Sequence, residues 1–226
     1  MKRLPMTVYA GLLVAAMAAP SFAADLPRPS YKAPIYTAPG FSWTGFYVGI
    51  NGGYGFGKSE WSALGASSGE FDVKGAMLGG TMGYNLQTGS WVWGLEGDID
   101  YTWINGTTTT PFCGPGGCET TVPWFATARG RIGYAGWDRW LPYITGGAAF
   151  AQIKMTPPGG PDEKETKVGW TVGGGIEYAL WNNWSSKIEY LYADLGTATC
   201  TAATCGVATD VTFKSHIVRL GLNYRF

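Results

Sequence analysis

The chain has 226 residues, enough for one domain of ordinary size. Aromatic residues make up 15% of it and charged residues only 14%, a composition that disfavours a soluble helical protein. Its 16 basic residues balance 16 acidic ones, so the charge excess of a nucleic-acid-binding protein is missing and nucleic acid is excluded as a partner.

The first residues have the pattern of a secretory signal peptide. Two basic residues follow the first methionine, residues 8–19 are almost wholly apolar, and Ser21 and Ala23 are the small residues that signal peptidase accepts. The alternative is a membrane anchor, but about a dozen apolar residues are too few to cross a bilayer as a helix. We therefore predict a signal peptide at 1–23 and an exported protein.

Residues 24–40 are rich in proline and show almost no apolar periodicity. Such a composition predicts an extended, polyproline-II-like arm, which we place on the periplasmic side. One folded domain is then expected over residues 41–226.

Within that domain, bulky apolar side chains alternate with small or polar ones, which is the period of β-strands. In one segment Trp93, Leu95 and Ile99 share one parity, while Glu96 and Asp98 share the other. The same test identifies eight such segments. The connections between them alternate between short turns and long links, at 87–89, 136–138 and 182–183 (short) and at 58–70, 102–121, 152–166 and 195–211 (long).

The charged residues of these segments lie on the face opposite the large apolar side chains. A soluble sandwich would turn that polar face to water, whereas a barrel in lipid would enclose it. Strands of about ten or more residues, aromatic residues at the strand ends and small inner residues favour the barrel. The enclosed charges would be Glu96, Asp98, Arg129, Arg131, Glu177, Lys187, Glu189 and Arg219, and the interfacial tryptophans Trp43, Trp91, Trp93, Trp124, Trp137, Trp140, Trp181 and Trp184.

We therefore predict an all-β fold, an eight-stranded antiparallel transmembrane β-barrel with up-and-down meander connections and both termini on the short-turn side. Four acids and four bases in a narrow lumen favour ion pairs that plug it, because an unpaired buried charge is costly. The alternative is a small-solute channel. A wide aqueous pore would need about sixteen strands, so a general porin is disfavoured.

Several segments resemble the small porin-family outer-membrane proteins of alphaproteobacteria: ADLP at 24–27, WTGFYVG at 43–49, RGRIGY at 129–134, residues 169–178 and RLGLNYRF at 219–226. The resemblance implies a Gram-negative outer-membrane location and a role in envelope integrity and surface interactions. Some members of that family are surface antigens and others bind haem. It supplies no catalytic residue.

The last strand ends in Leu222, Tyr224 and Phe226 at alternating positions. This ending is similar to the signature that outer-membrane assembly machinery recognises, and it is equally the lipid-facing edge of a last strand. The expected partners are that machinery, outer-membrane lipid and lipopolysaccharide, with the protein a monomer or weak homo-oligomer.

The four cysteines form two equal spacings, Cys113 to Cys118 and Cys200 to Cys205, each in a predicted long link. An exported chain meets an oxidising compartment, so two local disulfides are favoured among three connectivities. A four-thiolate metal site is the alternative, although the spacing is longer than that of a zinc knuckle.

No set of residues indicates catalysis or a resident cofactor. The serine-hydrolase pattern at 65–69 lacks the strand-to-helix turn that presents the nucleophile. His216 is the only histidine, and its neighbour Ser215 points to the other face of the strand. If haem were bound, His216 would be the first axial candidate. We predict that the protein is not an enzyme.

Overall fold

The computed structural model describes residues 41–113, 115–157 and 159–226. The signal peptide predicted at 1–23 and the arm predicted at 24–40 lie outside the described residues. Within the described part of the chain, no helix is long and apolar enough to cross a membrane.

Eight long antiparallel strands of 17 to 19 residues form one closed sheet. A two-residue strand, Ala66–Ser67, pairs with the end of the first of them, and a short helix, α1 (Ala202–Cys205), precedes the last. Neighbours pair in chain order, and the first strand pairs with the last, which confirms the predicted eight-stranded meander barrel. The strands are β1 (Gly45–Ala63), β2 (Phe71–Thr88), β3 (Trp91–Thr108), β4 (Cys118–Tyr134), β5 (Trp140–Thr156), β6 (Glu163–Ala179), β7 (Trp184–Cys200) and β8 (Thr209–Arg225).

The three short turns lie at the barrel end where β1 begins and β8 finishes. Each contains one residue with left-handed backbone geometry: Gly89 (φ 61°), Asp138 (φ 49°) and Asn182 (φ 48°). Glycine, aspartate and asparagine adopt this geometry at least cost. The turns coincide with the predicted ones, and this end is the periplasmic end of an outer-membrane barrel.

The predicted long links are wrong in extent, because much of each is hydrogen-bonded strand. Beyond the bilayer the outward residues become polar and many inward ones are Thr, Ala or Cys, so the alternation of bulky and small side chains fades. The connecting segments on this side are only 64–70, 109–117, 157–162 and 201–208.

A belt of outward apolar side chains surrounds the periplasmic part of the barrel. On β1 it runs from Phe46, which is 67% exposed, through Ile50 to Phe56. About eleven residues at a rise of about 3.3 Å and a tilt of about 40° span about 25 Å, the height of the apolar band of transmembrane barrels. The bulky side chains therefore face lipid, as predicted.

Beyond this belt the two faces of the strands exchange character. Inward positions that carry charges in the membrane become apolar, as at Trp61 and Phe213, while outward positions become polar, as at Lys58 and Glu60. The prediction that charges fill the cylinder is therefore correct only for its membrane part. The apolar filling, here called the loop-side core, includes Trp61, Val73, Met77, Ile104, Val122, Phe125, Ile153, Met155, Leu191, Leu195, Val211, Phe213 and Ile217.

Candidate functional site

The predicted inward charges meet in the middle of the membrane part of the barrel. Arg129 lies at their centre: its Nη2 atom is 2.5 Å from Glu96 Oε1 and 2.8 Å from Asp98 Oδ2, and its Nη1 atom is 2.9 Å from Glu189 Oε1. Arg219 contacts two of the same carboxylates, with Nη1 at 2.9 Å from Asp98 Oδ1 and Nε at 2.7 Å from Glu189 Oε2. The two guanidinium groups thus share a pair of acids.

A second group of charges continues the cluster toward the periplasm. Arg131 Nη2 is 2.6 Å from Glu177 Oε2, and Lys187 Nζ is 2.7 Å from Glu96 Oε2. Ser185 Oγ donates to Glu177 Oε1 at 2.6 Å. The structure thus brings all eight predicted charges into one connected set of contacts, here called the lumenal ion network.

The ionic contacts of this network are sealed from solvent. The paired side chains are between 0% and 4% exposed. Buried charges are tolerated only when partners satisfy them, and each guanidinium here contacts at least two acids. The network is therefore a cross-link between strands β3, β4, β6, β7 and β8.

Sequence reasoning missed three members of the network. Asp100 Oδ2 lies 3.0 Å from Arg219 Nη1, so five acids face four bases. Tyr47 Oη donates to Glu96 Oε2 at 2.7 Å, and Tyr143 Oη donates to Glu189 Oε1 at 3.0 Å. Asp100 shares the parity of the other acids and could have been included. The inward tyrosines carry no comparable signal, because most aromatic residues of these strands face outward.

One glycine makes room for the network. A Cβ atom at Gly53 would lie 2.6 Å from Arg219 Cβ and 2.8 Å from its Cα. Contacts that short do not occur between packed carbon atoms. Gly53 therefore lets β8 carry its arginine close against β1.

The periplasmic mouth is closed by a tryptophan that was predicted to lie in the interfacial girdle. Trp43 is only 1% exposed and packs with Val92, Leu141 and Ala179 inside the barrel end. Its backbone N–H donates to Gln87 Oε1 at 2.8 Å. The girdle assignment of Trp43 is wrong, because the chain turns inward before β1 begins.

A family model described as an outer membrane protein beta-barrel domain matches residues 10–226. The chain is 38% identical over 243 residues to a 31 kDa outer-membrane immunogenic protein of Brucella melitensis, a match covering 97% of this chain and 99% of the relative. The chain belongs to the outer membrane protein β-barrel family.

Two further similarities of the chain agree with this family assignment. It is 32% identical over 228 residues to a 25 kDa outer-membrane immunogenic protein of Brucella abortus, with 100% of each chain covered. Its fold is similar to that of the outer membrane protein OprG from Pseudomonas aeruginosa, with a TM-score of 0.50 and 14% identity over 81% of this chain and 97% of that one. The predicted resemblance and the outer-membrane location are confirmed.

His216 lies on the outer wall of the barrel rather than in one of its connecting segments. Its ring stacks on Phe56 with centroids 5.5 Å apart, and its Nδ1 atom is 2.7 Å from the hydroxyl of Tyr190. Ser215 points inward and is buried, so the predicted separation of the two side chains is correct. The role of His216 as a haem ligand stays a prediction that this placement does not favour.

Both favoured disulfides are formed, between Cys113 and Cys118 and between Cys200 and Cys205. This pairing uses all four thiols and leaves none for the metal alternative. Three of the four cysteines are buried in the loop-side core, and the fourth, Cys205, packs against it.

The double replacement Cys200→Ala and Cys205→Ala is expected to lower the unfolding free energy by about 2 kcal/mol, the value for closing so short a loop in the chain-entropy model. Urea unfolding in detergent, followed by tryptophan fluorescence, measures it. The barrel is still expected to form. Failure of the folded form to appear would contradict the disulfide's role as a local staple.

The C-terminal signature residues all face outward. Leu222, Tyr224 and Phe226 are exposed on the lipid side of β8, and the Phe226 N–H donates to the Phe46 carbonyl at 2.9 Å. Their recognition by assembly machinery stays a prediction.

The serine-hydrolase pattern at 65–69 forms the tip of the β1–β2 hairpin. Its first serine belongs to the strand Ala66–Ser67 and the second, Ser68, donates its hydroxyl hydrogen bond to the Gly69 carbonyl at 2.9 Å. No helix follows it within the described residues of this hairpin. This hairpin therefore lacks the turn from strand to helix that presents the nucleophile of a serine hydrolase.

Proposed function

We propose that this outer-membrane barrel is a closed anchor, which supports the cell envelope and holds a rigid end at the surface for contact with the surroundings. The observation that carries the proposal is that side chains occupy the barrel interior at three successive levels. Trp43 lies at the periplasmic mouth, the lumenal ion network crosses the middle, and the loop-side core fills the outer end. A solute would have to displace all three levels to cross.

The middle level opposes a channel most strongly. Taking one partner away from a buried ion pair costs about 3–5 kcal/mol, and the network contains several shared pairs. An eight-stranded barrel is also only wide enough for its own side chains. The small-solute channel therefore remains the weaker candidate.

The surface end supports a role in recognition. The loop-side core fixes the strands beyond the membrane, and two disulfides tie two of the four connecting segments to it. The Brucella relatives carry the word immunogenic in their names. That likeness supports the proposal that the loop-side end of this chain is likewise recognised at the cell surface.

The barrel is expected to have lipid and protein partners in the outer membrane. Lipid and lipopolysaccharide surround the apolar belt, assembly machinery reads the C-terminal signature, and the barrel works as a monomer or weak homo-oligomer.

We assign it no catalytic role, because the serines of the hairpin tip and His216 belong to different faces and levels of the barrel. Haem binding at His216 is disfavoured, because Tyr190 and Phe56 already contact its ring on the outer wall.

Current recordings in planar bilayers test the closed anchor. The purified full-length protein is expected to insert without passing steady current. Trp43→Gly is also expected to pass no steady current, because the lumenal ion network and the loop-side core still fill the interior. Heat-modifiable migration on gels confirms that both samples are folded. Recurrent current steps of constant size from the wild-type protein would contradict the proposal and favour the channel.

A further inference from the structure

The apolar belt ends in a group of lysines on three adjacent strands. On β1 the outward series passes from Phe56 to Lys58, and on β8 it passes from His216 to Lys214. On β2, Lys74 stands directly opposite Phe56 in the register. These lysines lie on the loop side of the belt, which is the level of the outer-leaflet headgroups.

The register places two of these lysines together and also sets an acid beside each. Lys58 and Lys214 are directly opposed on β1 and β8, an arrangement that destabilises an antiparallel pair. On their other sides, Lys58 faces Asp72 on β2 and Lys214 faces Asp194 on β7. Lys58 Nζ contacts Glu70 at 2.7 Å, but both side chains are more than half exposed, so that pair contributes little. Lys74 and Lys214 form no salt bridge with any described residue.

A recess of about 490 Å³ lies among these side chains. Phe56, Tyr192 and His216 form its belt-side wall, continuous with the lipid-facing surface. Its loop-side rim carries three ammonium groups and the carboxylates of Glu70 and Asp72. The recess is thus apolar toward the membrane, and cations outnumber anions at its rim.

We propose that this recess, lined by Lys58, Lys74 and Lys214, binds the phosphate group of a phosphorylated glycolipid of the outer leaflet. The apolar wall packs against the upper part of an acyl chain while the ammonium groups contact the phosphate, because one amphipathic molecule matches both surfaces at this depth. A soluble anion would leave the apolar wall without a partner. The inference rests on the proposed contact with outer-leaflet lipid and gives that contact a location.

Binding of diphosphorylated lipid A to the full-length protein in neutral phosphatidylcholine nanodiscs tests the proposal. Replacing Lys58, Lys74 and Lys214 by Gln is expected to weaken saturable binding at least about tenfold, since each lysine near such a headgroup contributes about 1 kcal/mol. All three side chains are exposed, so folding should be retained, and heat-modifiable migration checks it.

A matched control removes three lysines from another part of the loop side. Replacing Lys154, Lys164 and Lys167 by Gln changes the net charge equally, and Lys154 and Lys164 also face each other in register. This variant is expected to bind within about twofold of the wild type, because attraction by net charge alone is weak and non-specific. Equal losses in both variants, or none in the recess variant, would overturn the proposal.

Two further probes identify the group that is bound. Dephosphorylated lipid A is expected to bind the wild-type protein as weakly as the recess variant binds the phosphorylated form. Inorganic phosphate is expected not to compete, and full competition would mean a site for free anions and would overturn the assignment to lipid. Current recordings are independent of these results, so failure here and failure of the closed anchor can be told apart.

Discussion

Replacing Arg219 by Met is expected to lower the unfolding free energy by about 3–5 kcal/mol, the cost of removing one partner from a buried ionic cluster. Its guanidinium contacts Glu189, Asp98 and Asp100 at 2.7 to 3.0 Å. Methionine fills a similar volume but leaves these acids with less compensation. Urea unfolding in detergent, followed by tryptophan fluorescence, measures the difference.

Two variants accompany this measurement. Arg139→Met removes an exposed arginine whose contact is one hydrogen bond to the Leu180 carbonyl, so a change of about 1 kcal/mol or less is expected. Arg219→Lys keeps the charge but loses the forked geometry, and an intermediate loss is expected. If Arg219→Met were as stable as Arg139→Met, the network would not be a cross-link of the folded barrel.

Replacing Phe213 by Ala is expected to cost a similar amount, about 3–5 kcal/mol, for a different reason. The side chain is fully buried in the loop-side core, and truncation there leaves a cavity that the surrounding strands cannot collapse to fill. The matched control is Leu64→Ala, since Leu64 is 90% exposed at the tip of the β1–β2 hairpin. Its expected change is within about 0.5 kcal/mol.

The Phe213 variant also tests whether the barrel beyond the membrane is an ordinary hydrophobic core. Urea unfolding in detergent measures the stability of this variant as well. Limited proteolysis of the folded protein shows which segments become accessible. Cleavage of Phe213→Ala is expected in the loop-side segments, whereas the membrane part stays protected. Unchanged stability would mean that these strands are held by lipid-embedded contacts alone.

The strand pattern was predictable because side-chain alternation has a period of two wherever one face meets a uniform environment. In the membrane part, Phe46 and Ile50 face outward and Glu96 and Arg129 face inward, as their parity indicates. Short turns containing Gly89 and Asn182 then force neighbouring strands to be antiparallel. Eight strands, a meander order and an enclosed set of charges follow from sequence alone.

The pattern fails where the environment changes along a strand. Trp61 shares its parity with Asn51 and Gly53, although it packs in an apolar core and they lie at the level of the ion network. The outer end of β1, residues 58–63, was therefore assigned to a loop, because its outward residues are polar while Trp61 on its inward face is apolar. Trp43 was misplaced for a related reason. An aromatic residue just before a strand is compatible both with an outward position at the membrane interface and with an inward position that closes the barrel end.

The amino-acid sequence by itself thus determined the membrane part of the eight strands, the faces that its residues share, and which cysteines are near enough to pair. Only the tertiary structure decided which charges meet: Arg219 and Asp98 are 121 residues apart and come together because β8 closes on β1 and the strands tilt around the barrel axis. It also decided where the lipid belt stops and the loop-side core begins. Alternation records the direction of each side chain, whereas the height of that side chain in the barrel depends on the register of all eight strands.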